Sequence, residues 1–271
     1  MHRSFFGVNS SLSAPRLIMA EKHFFEQRKH AESYLIPFLG RNCPNFQRFQ
    51  ILDVGCAEAG FLDALHSAHI SGMGLELEAE RITISQQFNP GLNILEGDIT
   101  DPDIVSKIGK TFDLIVIRDV IEHIPDKDSV LDHLNALLHQ DGFIYITFPP
   151  RLSPFGGHQQ NGRSPLRTIP YLHLLPAPVL RVLGKVSGER PDVVESIIAQ
   201  RHIGLSIGQF EGLSAAHGYR IHRKDLFLFR PVFQVRYGLP TKRMPDLPFL
   251  REFLVLGCEC LLQKASARRP S

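Results

Sequence analysis

Ile51-Leu52-Asp53-Val54-Gly55-Cys56-Ala57-Glu58-Ala59-Gly60-Phe61-Leu62 is a short apolar run with an acidic residue near its end, then a turn of small residues, then apolar positions at helical spacing. The pattern predicts a buried parallel strand whose carboxyl end opens into a ligand crevice before a helix starts. Small residues at such a turn let the backbone come close to a ligand and adopt dihedrals that larger side chains forbid. Gly55-x-Ala57-x-x-Gly60 also approximates a dinucleotide fingerprint, although the second position of that fingerprint is normally Gly.

Alternating strand-like and helix-like segments follow. Strands are expected at 50–54, 72–77, 92–96, 112–117, 143–148 and 219–223 (extending towards Leu228), with a last one within 249–262. Helices are expected at 61–69, 78–88, 127–138 and 206–217. A further one or two at 15–39 are opened by Pro15 and ended near Pro37 and Gly40. Glu76 falls at the end of the second strand, Gly97-Asp98 after the third, and Arg118-Asp119-Val120 after the fourth. An ionised carboxylate at the second position can accept from two adjacent ribose hydroxyls, with Glu78 as the neighbouring choice if the register slips. Between 151 and 203 the alternation fails: Pro154, Pro165, Pro170, Pro176 and Pro178 surround Gly156-Gly157-His158, yet many apolar residues remain. That composition predicts an insertion with one or two short helices roofing a substrate pocket.

With 271 residues, 43% hydrophobic and 21% charged, the chain can bury a full core. A formal net charge of +2 gives no broad basic face, so nucleic acid is not an expected partner. Cys43, Cys56, Cys258 and Cys260 lack zinc-type spacing, and a reduced cytoplasmic location is the simplest account. No apolar run reaches the ~20 residues a membrane span needs. Met1–Phe6 lacks the apolar core of a signal peptide, so it is expected to be retained, and residues 1–14 are expected to be poorly ordered.

The loop after the first strand resembles the D-x-G-x-G-x-G motif of class I S-adenosylmethionine-dependent methyltransferases, with Ala57 and Ala59 in place of the last two glycines. Phe112-Asp113-Leu114-Ile115 through Val120-Ile121-Glu122-His123-Ile124-Pro125-Asp126 resembles a second stretch of that family, and the likeness runs over residues 50–150. It implies an α/β fold: a doubly wound, seven-stranded, mostly parallel sheet with a C-terminal antiparallel strand pair and an insertion after strand five. The corresponding divisions are a helical cover at 1–40, a cofactor-binding core at 41–150, a substrate lid at 151–203 and the rest of the core sheet at 204–271.

By the same resemblance, S-adenosylmethionine is the cofactor and S-adenosylhomocysteine the product. The implied cofactor residues are Asp53, Gly55, Cys56, Ala57, Gly60, Glu76, Leu77, Asp98, Ile99, Arg118, Asp119 and Val120, with Arg28 and Tyr34 as further contacts from the covering helix. The expected activity is methyl transfer to a small-molecule acceptor, a hydroxyl foremost, with His123, His158 and His202 as candidate general bases. Asp119-x-x-Glu122-His123 resembles a cluster in some metal-assisted O-methyltransferases, including ubiquinone-biosynthesis enzymes; these three are the candidate ligands for a divalent metal, although none is expected. The alternatives are a nicotinamide-dependent oxidoreductase and a catalytically inactive binding or scaffold protein.

Overall fold

The computed structural model describes residues 14–265, so the expectations for the first fourteen residues lie, but for Ala14, outside the described residues. Eight strands form one sheet in the order β3-β2-β1-β4-β5-β8-β6-β7. They are β1 (Gln50–Val54), β2 (Ser71–Glu76), β3 (Ile94–Glu96), β4 (Phe112–Arg118), β5 (Leu138–Phe148), β6 (Tyr219–Phe229), β7 (Lys242–Met244) and β8 (Gly257–Lys264). The first five pair in parallel. Strand β8 inserts antiparallel between β5 and β6, which gives the expected C-terminal pair. The eighth strand is the three-residue β7, an edge strand built from the excursion after Arg230.

Helices α3 (Gly60–Ser67), α4 (Ala79–Phe88), α5 (Ile104–Ile108), α6 (Lys127–Leu137) and α9 (Ile207–Ala216) connect the strands. Because both faces of the sheet are covered, the centre of β4 (Leu114, Ile115, Val116, Ile117) is fully buried and reads as a continuous apolar run. Ile115 and Ile117 join the core under α6, whereas Leu114 and Val116 join the core under the N-terminal helices. The boundary between α9 and β6 follows from capping chemistry: Ser206 and Gln209 form a reciprocal capping box, and Gly218 leaves the helix at φ +73°.

Three local expectations are corrected. The N-terminal helix α1 (Ala14–His30) does not stop at Pro37; it passes through a π turn at Ala31–Leu35 into α2 (Ile36–Asn42). Pro37 has no N–H to give, and the wider turn, in which Ile36 N–H reaches Ala31 O, absorbs that loss without ending the helix. The turn expected at Gln140-Asp141-Gly142 is instead a bulged part of β5, which pairs with β4 on both sides of it. The alternation from Phe249 begins as strand only at Gly257, because Leu250–Leu254 makes a helical turn, α11. That turn presents Glu252 to the first N–H groups of α9, at Ile207 (3.0 Å) and Gly208 (2.9 Å).

Residues 151–203 form 3₁₀ turns followed by α7 (Ala177–Ser187) and α8 (Pro191–Ile203), with a small core of Leu172, Leu180, Val193, Val194 and Ile197. Helix α10 (Pro231–Tyr237) follows β6 directly.

Candidate active site

The carboxyl ends of β1, β2 and β4, with the loop after β3, open on one cavity of about 640 Å3. After β1 the chain turns through Gly55 (φ +67°), Ala57 (φ +53°) and Ala59 (φ +62°). A β-carbon on Gly55 would lie 2.5 Å from Val120 Cγ2, so this position accepts only glycine. Gly55 and Cys56 give their N–H groups to Leu75 O, and Ala57 N–H donates to Glu76 Oε2 at 2.7 Å. Glu76 Oε1 accepts from Glu78 N–H at 3.0 Å, so its buried carboxylate ties the β1 turn to the end of β2. Asp98 Oδ1 accepts from Thr100 N–H (2.8 Å) in a local turn.

Gly55, Ala57, Glu76, Leu77, Asp98, Ile99, Arg118, Asp119 and Val120 line the cavity. Asp53, Cys56 and Gly60 do not. Asp53 is 1% exposed and accepts from Arg118 Nη2 at 3.1 Å. Burial raises its pKa, with Arg118 opposing the shift. Cys56 is buried in the core between β2 and the N-terminal cover, and burial raises its thiol pKa well above the usual range. Gly60 faces α1: a β-carbon there would sit 2.1 Å from Phe24 O, and its N–H donates to Gln27 Oε1. Arg28 turns to Asp63 (2.7 Å) and Glu32 (2.9 Å), and Tyr34 donates to Glu259 (2.9 Å).

The far side of the cavity is built from residues that no local motif announces: His30, Tyr145, Thr147, Arg230, Arg236 and Glu259. Asp119 adopts φ +55° and takes two contacts from Arg230 Nη2 (2.6 and 2.7 Å) and one from the Thr147 hydroxyl (3.1 Å). Burial alone would raise its pKa, but the Arg230 guanidinium more than offsets that and holds it below the usual carboxylate range. His30 is pushed down to about 3 by burial and by the facing Arg118 and Arg230, so its imidazole is neutral. Glu259 accepts from Tyr145 (2.6 Å) and Tyr34 (2.9 Å), and burial pushes its pKa up to about 7. The prolines and basic residues of Arg230-Pro231 and Lys242-Arg243-Met244-Pro245 are the sequence sign of a second excursion over the site.

Of the three histidines proposed as bases, His123 lines the cavity, and burial lowers its pKa. His158, at φ +56°, lies beside it with ring centroids 4.7 Å apart, and burial lowers its pKa to about 4. His202 is exposed near the end of α8 and does not line the cavity. The trio Asp119, Glu122 and His123 does not assemble, because Asp119 is committed to Arg230. Glu122 (0% exposed) instead lies near His123, with Oε1 3.8 Å from Nε2, and His158 completes a group whose ligand atoms all fall within 4.8 Å of one another. Neither carboxylate oxygen of Glu122 has a hydrogen-bond partner. Burial, then the charge on Asp119, raises the Glu122 pKa well above its usual value.

The sequence model of a family described as a methyltransferase domain matches residues 24–176, 153 of the 271 residues. A curated relative, the ubiquinone biosynthesis O-methyltransferase of Haemophilus ducreyi, is 28% identical over 104 residues that cover 36% of this chain and 44% of that protein. The corresponding protein of Pseudomonas syringae pv. tomato is 22% identical over 100 residues, 36% of this chain and 43% of that one. The chain thus spans less than half the length of these curated relatives. Among solved structures, the plantazolicin methyltransferase BamL in complex with a triazolic desmethylPZN analog and SAH superimposes with a TM-score of 0.56 at 14% identity, over 93% of this chain and 89% of that one. Magnesium protoporphyrin IX methyltransferase from Synechocystis PCC 6803 with bound SAH gives 0.51 at 12% identity, over 96% and 90%. At these identities the likeness is one of fold.

Proposed function

The chain belongs to the methyltransferase-domain family, and from that premise we propose that it moves the methyl group of S-adenosylmethionine to a hydroxyl of a small-molecule acceptor, releasing S-adenosylhomocysteine. The observation that carries this reading is the meeting of Gly55 and Ala57, Glu76, Asp98 and Asp119, from four successive strand ends, on one cavity. In this reading Glu76 accepts from the ribose hydroxyls and Asp98 from the adenine amino group, while the Ile99 N–H meets a ring nitrogen. The Gly55–Ala57 backbone and Val120 enclose the methionine part.

Transfer from a sulfonium needs the acceptor oxygen in line with the S–CH₃ bond and water kept out; such placement is worth ~7–11 kcal/mol of the barrier. The sulfur leaves as a neutral thioether, and the acceptor proton must go to a base. His123 is the candidate placed for this, since it lines the cavity and its depressed pKa keeps it unprotonated near neutrality. The wall of Arg230, Asp119, Thr147 and Tyr145 is the surface against which the acceptor is oriented. A cytoplasmic site of action belongs to the same reading, supported by four free, buried cysteines. Among the described residues no helix is long and apolar enough to cross a membrane. No observation favours the nicotinamide-dependent alternative.

The test is calorimetry of the full chain with S-adenosylmethionine and S-adenosylhomocysteine beside Glu76→Ala. Removing hydrogen bonds to a charged group predicts an affinity loss of roughly 10–100-fold. If the folded wild-type protein binds neither ligand, the enzyme reading fails and a scaffold role replaces it.

A further inference from the structure

Resting on the methyl-transfer reading above, we propose that His30, Arg118 and Arg230, with the more exposed Arg236 beside them, form a subsite for a carboxylate carried by the acceptor. All four line the cavity. They reach it from three parts of the chain: His30 at the end of α1, Arg118 at the end of β4, and Arg230 and Arg236 before and within α10.

Each guanidinium is anchored by a carboxylate yet keeps donors to spare. Arg118 touches Asp53 through Nη2 alone, at 3.1 Å, and Arg230 touches Asp119 through Nη2 alone. Arg236 gives only Nε to Glu26, at 3.0 Å. A guanidinium carries five N–H donors in a planar fork that matches a carboxylate, so most of each fork stays unspent. Arg118 Nε is buried without a partner among the described residues, and so is His30 Nδ1. Buried polar atoms without partners are costly, and one bound carboxylate between these side chains resolves both. The arginines are also in place before a ligand arrives. Arg118 lies 4.9 Å over the Phe61 ring, and Arg230 lies across Gly257, where a β-carbon would come 2.7 Å from its Cγ, Cδ and Nε. Such preorganisation lowers the ordering cost of binding.

The electrostatics agree with the geometry. After burial, Arg118 and then Arg230 are what push the His30 pKa down to about 3, so their positive field converges on that ring. Asp119 and Glu259 share the wall, and a singly charged carboxylate therefore suits it better than a dianionic phosphate. The competing occupant is the carboxylate of the cofactor itself. In the reading above the methionine part is enclosed by the Gly55–Ala57 backbone and Val120, whereas Arg230 and Arg236 belong to the excursion after β6.

The probe is 4-fluorobenzoate, followed by fluorine NMR with the full chain, and neutral 4-fluorobenzamide is its blank. Titrations run on the protein alone and on protein saturated with S-adenosylhomocysteine, whose own binding is measured by calorimetry. One fluorobenzoate per chain is expected in both states, bound at least ~tenfold more tightly than the amide. Arg230→Lys keeps the charge but loses the fork, and His30→Leu removes an imidazole whose Nδ1 has no partner to lose. Each should weaken fluorobenzoate at least ~tenfold, in protein whose far-ultraviolet circular dichroism matches wild type. If Arg230→Lys does not fold, His30→Leu carries the test. Arg81→Gln, which alters the cation paired with Glu58 and Glu78, should stay within about threefold of wild type. Equal binding of the amide, or unchanged affinity in both variants, would overturn the subsite. Displacement of fluorobenzoate by S-adenosylhomocysteine would give the arginines to the cofactor's carboxylate, and tighter binding of inorganic phosphate would give them to a phosphate; either result overturns the proposal. If S-adenosylhomocysteine does not bind while fluorobenzoate does, the methyl-transfer reading falls and the carboxylate subsite stands.

Discussion

The two halves of the cavity are built on different principles. On the side of β1, β2 and β3, each functional group stands at the end of its own strand and is held by neighbours close by: Glu76 by Ala57 and Glu78, Asp98 by Thr100. On the opposite side the polar groups are held by partners more than a hundred residues away, as Asp119 is by Arg230 and Glu259 by Tyr145 and Tyr34. The first half depends on backbone geometry at strand ends. The second depends on ion pairs and hydrogen bonds, with Glu259 buried among them, that form only when the whole sheet has closed.

The largest test of that contrast falls on Arg118, which joins the halves by pairing with Asp53 and lying 4.9 Å over the Phe61 ring. Arg118→Ala leaves a 1%-exposed carboxylate without its partner and is expected to cost ~3–5 kcal/mol at neutral pH, measured by urea unfolding. The pKa of folded Asp53 is already raised by burial, so the deficit should shrink as the pH falls and Asp53 takes up a proton. A deficit that does not change with pH would assign the loss to packing on Phe61 instead.

Next is Glu259, 4% exposed and held near pKa 7. Its folded pKa is raised, so its contribution to stability is complete below the unfolded value and is lost as the pH rises through about 7. The wild-type protein should lose of order 3 kcal/mol from this group between roughly pH 4.5 and 7. Glu259→Gln should flatten that part of the stability curve, and an unchanged curve would remove Glu259 from the account.

The smallest effect belongs to the local half. Ala57 occupies the left-handed region at φ +53°, which costs an L-residue about 1–2 kcal/mol. Ala57→Gly should therefore raise stability by up to ~1 kcal/mol, since the greater freedom of unfolded glycine offsets part of the gain. Ala59 is the control. It shares the conformation (φ +62°), but its methyl group is fully buried in the core, so Ala59→Gly should gain less.

Much of the local half was legible before folding. Asp53, Glu76 and Asp98 stand at or near the places where short apolar runs give way to turns, and those runs with their bounding turn residues place them without any tertiary information. Legibility failed where neighbours in space changed a residue's task. Asp53 and Cys56 belong to the motif yet turn into the interior, Gly60 is small because α1 crosses it, and the metal-like triplet loses Asp119 to an arginine 111 residues later.

The amino-acid sequence by itself determined the alternation of strands and helices and the small-residue turn after the first strand, because hydrophobic period and turn chemistry act over a few residues. Only the tertiary structure decided which partner each buried charge has, that His158 rather than Asp119 joins Glu122 and His123, and that a tyrosine pair holds Glu259. Charges leave water only in company, and that company is chosen by how the sheet closes.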